Sequence, residues 1–317
     1  MRIVFFGTGE FAVPALRAAQ AAGHVIRAAV SQPDRPAGRG RAVRPTPVRA
    51  AALELGIPHI QTADVNALDL PAVLGDAELG VVAAFGQKLG PALLAALPRG
   101  CINIHGSLLP RYRGAAPYQW ALINGDAESG VTIFQLNERW DAGAIWSRRA
   151  TSIRDDETAD ELHDRLAVLG AGLLIDTLPL IAEGRTQPEP QPAAGATRAP
   201  KLTKADGILD WSQPARRVVR RIHGLWSWPA AACLFRSRRG REERLLIARA
   251  EVADENGAPT PEQPPGAFLA DGTVQTGLGR VRLREVVPAG GKRMDFRAFA
   301  NGRRIAPGDR LLPVTEP

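Results

Sequence analysis

The run Arg2-Ile3-Val4-Phe5-Phe6-Gly7-Thr8-Gly9-Glu10-Phe11-Ala12, read on to Ser31, decides the fold. An apolar strand over residues 2–6 meets a glycine-punctuated turn. A helix then runs to about Gly23, and a second strand covers His24 to Ser31. Downstream the alternation returns. Helices are expected over Thr46–Gly56, near residues 68–75, over Gly114–Gly125 and within 157–184. Strands are expected near His59, over Leu79–Phe85, Cys101–His105 and Gly130–Leu136, and from Ala144. Leu79 to Phe85 carries no polar alternation, which marks a central strand covered on both faces. Strand, short turn and helix in this order build an α/β doubly wound parallel sheet.

Gly7-x-Gly9-x-x-Ala12 also satisfies a dinucleotide fingerprint. A nicotinamide site needs an acid at the end of the second strand, and that strand ends at Val30-Ser31-Gln32-Pro33 with Asp34 beyond it in a loop. A tight turn packing helix to sheet is the better reading of these glycines.

Polar chemistry concentrates in Cys101-Ile102-Asn103-Ile104-His105-Gly106-Ser107-Leu108-Leu109-Pro110-Arg111-Tyr112-Arg113-Gly114. With the two-residue period of a strand, Asn103 and His105 share one face about 6.5 to 7 Å apart. An amide, an imidazole and a hydroxyl at a strand end can hold a carbonyl: Asn103 donates to a developing oxyanion, and His105 donates or moves a proton near neutral pH. The alternative is that both merely cap the strand. Asp141, in the turn Asn137–Gly143, is a carboxylate able to orient His105 and to carry a proton. The tip Phe85-Gly86-Gln87 precedes the helix leading to this strand, so consecutive strand ends can wall one pocket.

At 317 residues two domains are expected. Between Thr186 and Pro200 the composition turns to Pro, Gln, Ala and Gly, which reads as a linker. The boundaries drawn are 1–187 for a catalytic domain, 188–206 for the linker and 207–317 for a second domain. Residues 1–189 hold 18 Lys+Arg against 20 Asp+Glu, or −2, while residues 190–317 hold 22 against 13, or +9. A basic domain appended to a near-neutral one points to a polyanionic partner, nucleic acid before membrane. Residues 32–47, with four Arg, four Pro and two Gly, read as a long basic loop in which Arg39 and Arg41 suit a phosphate backbone. In the helix Ala215–Leu225, Arg216, Arg217, Arg220 and Arg221 read as one basic stripe. Trp226 and Trp228 are expected in the core, followed by short strands as in a small barrel. Two cysteines, no apolar run near 20 residues and no leader at the amino terminus give the expectation of a cytoplasmic protein without membrane partner, disulfide or zinc.

Taken together the motifs resemble the methionyl-tRNA formyltransferase family along the whole chain. Gly7-Thr8 to Pro14, Gln32-Pro33-Asp34-Arg35-Pro36-Ala37-Gly38-Arg39-Gly40, Asn103-x-His105 with Ser107-Leu108-Leu109-Pro110, Asp141-x-Gly143 and Gly195-Ala196-Thr197-x-Ala199-Pro200-Lys201-Leu202-Thr203 are similar to its blocks in order and spacing. The resemblance implies a Rossmann-like parallel-sheet formyltransferase domain followed by an OB-like β-barrel. The α-amino group of methionyl initiator tRNA would attack the formyl carbon of 10-formyltetrahydrofolate, with no metal and in a monomer. Asn103 and His105 would hold the oxyanion, and Asp141 would tune His105. Phe85, Gly86, Gln87 and Ser107, Leu108, Leu109, Pro110 would contact the folate, and Arg39, Arg41, Lys201, Lys204, Arg216 and Arg220 the tRNA. The chain departs from the pattern at Gly9, Trp120, Arg139, Trp140 and Ala144, which reshape the rim and remove no catalytic group. A formyl hydrolase or a sugar formyltransferase would keep the Asn, His and Asp elements without needing a basic domain. An RNA-binding module with an inert first half is the non-enzymatic alternative.

Overall fold

The computed structural model describes residues 1–37, 42–184 and 186–314. They form two compact units. One comprises residues 1–117, 128–151 and 163–199, the other residues 118–127, 152–162 and 200–317.

The first unit is built on β1 (Arg2–Gly7), β2 (Val25–Ser31), β5 (His59–Gln61), β6 (Leu79–Ala83), β7 (Cys101–His105), β9 (Glu128–Gln135) and β10 (Ile145–Ser152), in the sheet order β10-β9-β7-β6-β1-β2-β5. The apolar runs of β1 and β6 are buried on both faces, as central strands are. Strands β5, β2, β1, β6 and β7 are mutually parallel. The all-parallel expectation fails at β9, which runs antiparallel to β7 with Asn103 opposite Phe134 and His105 opposite Thr132. An apolar strand covered on both faces reads the same in either direction, so its sequence does not give its sense.

Helices α1 (Val13–Ala21), α2 (Pro47–Glu54), α3 (Leu70–Leu74) and α4 (Pro91–Ala96) each carry Pro in the first two positions, where no backbone donor is lost. Thr46 caps α2 by accepting the Arg49 N–H, and Asp69 caps α3 by accepting that of Ala72. Gly7 has no room for a side chain: a Cβ there would lie 2.9 Å from those of Ala12 and from the Phe5 ring. The Thr8 and Gly9 N–H groups, which a dinucleotide phosphate would require, both donate to the Ala84 carbonyl. The turn therefore serves packing.

Residues 32–47 are not all loop. β3 (Arg35–Ala37) and β4 (Ala42–Arg44) pair as a small antiparallel hairpin, and an isolated pair has free edges that tolerate Pro36. Arg39 and Arg41 lie outside the described residues. A second correction concerns α6 (Ala159–Glu183), which is one helix of 25 residues, long and apolar enough on length and composition to cross a membrane. Its Leu166, Leu173, Leu174, Leu178 and Ile181 are buried, and a Cβ on Gly170 would sit 2.9 Å from Ile104 Cγ2 of β7. One charge, Asp176, interrupts the apolar stretch of residues 166–182, and the helix buries its leucine face within the protein.

In the second unit, α7 (Ala215–Leu225) buries Ala215, Val218, Val219, Ile222 and Leu225 against an antiparallel sheet. A Cβ on Gly224 would come within 2.6 Å of Ile123 on α5 (Pro117–Asn124). The sheet order is β14 (Val274–Gln275), β15 (Arg280–Pro288), β13 (Glu242–Asp254), β12 (Ala231–Arg236) and β17 (Arg310–Leu312), with β16 (Met294–Asp295) on β15. Residues 266–269 bond to both ends of that order: Gln275 N–H donates to the Ala267 carbonyl, and Leu311 N–H to that of Gly266. Phe235, Phe268, Phe299 and Phe296, the last two on α8 (Phe296–Arg303), fill the interior.

Candidate active site

On β7 the strand period places Asn103 and His105 on one face. Their surroundings differ. The His105 ring is buried edge-on to Phe134, at 6.3 Å between centroids. Its Nε2 lies 2.9 Å from the Tyr112 carbonyl oxygen. A carbonyl only accepts, so Nε2 carries the hydrogen and the neutral ring keeps its lone pair on Nδ1. Nδ1 faces Asp141 Oδ2 at 3.9 Å, within ion-pair reach and beyond a hydrogen bond. The Asn103 amide is half-buried and has no hydrogen-bond partner among the described residues. It is the one open neutral donor of the three groups. His105, expected as a second oxyanion donor, has its N–H committed to Tyr112, so in this tautomer it offers the site an acceptor.

Two non-glycine residues with left-handed backbone frame the pair: Tyr112 at φ 62° and Asp141 at φ 47°. Such conformations persist where the surroundings over-determine them. Asp141 Oδ2 accepts the Gly114 N–H at 2.8 Å. Gln191 Nε2 donates to the carbonyls of Asp141 at 2.9 Å and Gly143 at 2.8 Å, while Gln191 Oε1 accepts from Arg113 at 3.0 and 2.6 Å. The segment expected to be a tether is bonded to the site loop: β11 (Arg198–Ala199) pairs in parallel with β8 (Arg113–Gly114), and Thr197 Oγ1 accepts the Tyr112 N–H at 2.8 Å. Gln191, Thr197 and Thr132 are the contributors that residue-by-residue reading missed. The block Gly195–Thr203 was the available signal for one of them.

The loop after β7 is braced from within. Thr132 Oγ1 donates to the Ser107 carbonyl and accepts the Leu109 N–H, Ser107 Oγ donates to the Arg111 carbonyl, and Arg148 reaches the Leu109 carbonyl. Ser107 and Leu109 are fully buried, and the Ser107 hydroxyl is engaged within the loop, whereas Leu108 and Pro110 are partly open. The β6 tip divides similarly. Phe85 is buried edge-on to Phe6, its carbonyl accepts from Thr8 and Gln32, and both ends of the Gln87 amide are bound to the Val65 N–H and the Thr62 carbonyl. Gly86, at φ 79°, is exposed. A strand-end motif does not reveal which of its side chains turn inward.

In the second unit the expected arginine stripe is largely spent locally. Arg216 pairs with Glu255, Arg217 donates to Gln213, Arg221 donates to the Asp206 carbonyl, and the Arg220 guanidinium lies over Gly125, where a Cβ would be 2.0 Å from its Cζ. Lys201 and Lys204 are exposed and without a partner among the described residues. Trp228, expected in the core, is 50% exposed, and Trp226 is half-buried under Arg293. Among the described residues no group of three or more His, Cys, Asp or Glu could hold a metal ion.

Comparison with known proteins matches residues 1–178 to the formyl transferase family and residues 201–304 to the formyl transferase C-terminal domain. The methionyl-tRNA formyltransferase of Heliobacterium modesticaldum is 44% identical over 322 residues, covering 98% of this chain and all of the relative. That of Methylococcus capsulatus is 44% identical over 317 residues, covering 98% and 99%. Among solved structures, an N-formyltransferase from Helicobacter canadensis in complex with folinic acid and dTDP-3-aminofucose superposes with a TM-score of 0.64 at 15% identity, covering 89% of this chain and 98% of its own. HypX from Aquifex aeolicus in complex with tetrahydrofolic acid gives 0.61 at 17% identity, covering 95% and 47%. The two solved structures share the fold, whereas the 44% relatives share the chain from end to end.

Proposed function

The chain belongs to the methionyl-tRNA formyltransferase family, and from that premise we propose how its own residues formylate methionyl initiator tRNA. The observation that carries the proposal is the open Asn103 amide beside a fixed His105 and Asp141 pair. The formyl donor is 10-formyltetrahydrofolate, walled by Leu108, Pro110 and Gly86. Ser107, Leu109, Phe85 and Gln87 hold those walls in shape. The methionyl α-amine directs an N–H between His105 Nδ1 and the Asp141 carboxylate, two acceptors close enough to share one donor.

As the amine nitrogen bonds to the formyl carbon, the carbonyl oxygen becomes an oxyanion and accepts from Asn103. His105 Nδ1 takes the proton the amine loses, and the imidazolium is stabilised by Asp141. The same proton then passes to N10 of the folate as the N10–carbon bond breaks, so His105 ends neutral and tetrahydrofolate leaves. Lys201 and Lys204 contact the tRNA backbone, as Arg39 and Arg41 do. We read the second unit as an OB-like barrel, a reading supported by the hydrogen bonds of residues 266–269 to both ends of its sheet. The enzyme acts as a cytoplasmic monomer without a membrane partner.

The test is single-turnover formylation by Asn103→Ala. Loss of one oxyanion donor typically costs about 10²- to 10³-fold in rate. A fall of that size with tRNA affinity held within a few fold supports the assignment. An unchanged rate, or loss of tRNA binding and chemistry together, removes Asn103 from that role.

A further inference from the structure

The catalytic pair takes its two backbone hydrogen bonds from one short stretch: the Tyr112 carbonyl holds His105, and the Gly114 N–H holds Asp141. That stretch is itself gripped by a single residue of the following segment. Thr197 Oγ1 accepts the Tyr112 N–H at 2.8 Å. The Thr197 carbonyl accepts the Arg113 N–H at 2.9 Å, and this N–H belongs to the same peptide plane as the carbonyl that His105 uses. Both peptide planes flanking left-handed Tyr112 are thus fixed by Thr197. Ala199 continues the grip, its carbonyl accepting the N–H groups of Ala115 and Ala116 at 2.9 and 3.3 Å. Gln191 completes it on the other side, tying Arg113 to the carbonyls of Asp141 and Gly143.

We infer that Thr197 and Gln191 are positioning residues for formyl transfer, Thr197 setting the tautomer of His105 through the Tyr112 peptide and Gln191 setting the turn that carries Asp141. The inference rests on the proposed roles of His105 and Asp141. Without the Thr197 hydroxyl the Tyr112 N–H loses its acceptor, and a left-handed tyrosine has no intrinsic reason to keep its conformation. The Thr197 carbonyl still holds the Arg113 N–H, but with the preceding peptide released Tyr112 can turn about its own φ, its carbonyl holds the hydrogen on Nε2 less firmly, and the ring more often places it on Nδ1, where it blocks acceptance from the amine. Thr197 is exposed, so a valine is accommodated without disturbing a core.

Thr197→Val, Thr197→Ser and Gln191→Ala are compared with the wild type by steady-state formylation and by ¹⁵N NMR of the histidine rings, with the His105 signals assigned from His105→Asn. For Thr197→Val the expected result is a fall in kcat of about three- to tenfold, the range of one neutral hydrogen bond, with KM for both substrates held within twofold. Its His105 signals move away from the Nε2–H tautomer, and Thr197→Ser restores both readings. Gln191→Ala is expected to lower kcat with the His105 tautomer unchanged. Wild-type kcat in Thr197→Val and Gln191→Ala, or a fall in Thr197→Val with His105 signals unmoved, overturns the inference. Activity retained by His105→Asn in the same assay overturns the underlying reading of the site instead.

Discussion

Asp141 is carried by a turn with no slack. Gly143, two residues on, faces the Gln135 carbonyl so closely that a Cβ would lie 1.7 Å from its oxygen, and that oxygen is backbone. Gly143→Ala must therefore displace the turn. A shift of about 1 Å near a reacting centre can cost about 100-fold, and forcing a methyl into a packed site costs about 1 to 3 kcal/mol of stability. We expect Gly143→Ala to lose at least tenfold in kcat while chemical unfolding reports a loss within that range; a kcat within twofold of wild type would show that the turn does not locate Asp141. At this scale the period of a strand was enough to bring Asn103 and His105 to one face. It could not give the ring tautomer, because the acceptor that decides it is the carbonyl of Tyr112, seven residues on and in a left-handed conformation that non-glycine residues seldom take. Nor could it separate Ser107 and Leu109, which turn into the protein, from Leu108 and Pro110, which do not.

Among the elements, the bounds of α7 were legible in the sequence. Its arginines were legible as a stripe but not as partners: Glu255 and Asp206 lie elsewhere in the chain, and Gln213 sits just ahead of the helix, four residues before Arg217. The helix also buries a titratable group. His223 Nε2 accepts the Ala250 N–H at 3.3 Å, which requires the neutral ring, and burial followed by the charge of Arg249 pushes its pKa down to about 4. Because the unfolded chain protonates near 6.5 and the folded chain only near 4, the unfolded state binds more protons between those values. The contribution is present above about pH 6.5 and is lost as pH falls toward 4, a total of about 3 kcal/mol. His223→Gln keeps an acceptor and removes the titration. Unfolding free energies measured from pH 7 to 4 should fall less steeply in this variant than in the wild type, and parallel curves would exclude His223 as the cause. For the sheets, five parallel strands followed from apolar runs separated by helices, while the sense of β9 depended on pairing that composition does not encode.

On the scale of the whole molecule, the charge division at residue 189, −2 before and +9 after, makes a polyanion the expected partner from composition alone, and kinship at 44% identity along the full chain agrees with it. What composition misjudged was the stretch between. Pro, Gln, Ala and Gly suggested a tether, yet Glu189 exchanges backbone hydrogen bonds with Ile145, Gln191 holds the Asp141 turn and Thr197 holds Tyr112. Low-complexity composition reports the absence of a local core, not the absence of partners on a loop elsewhere. The fold is shared with an N-formyltransferase solved in complex with dTDP-3-aminofucose, so the acceptor is the point on which the account stands or falls. The most direct measurement is formylation with 10-formyltetrahydrofolate of methionyl initiator tRNA, run beside methionyl elongator tRNA and an RNA-free control scoring released formate. The account predicts formylmethionyl product on the initiator tRNA and neither comparable product on the elongator nor RNA-independent formate. Formate released at the same rate without RNA, or no product on the initiator tRNA, would contradict it.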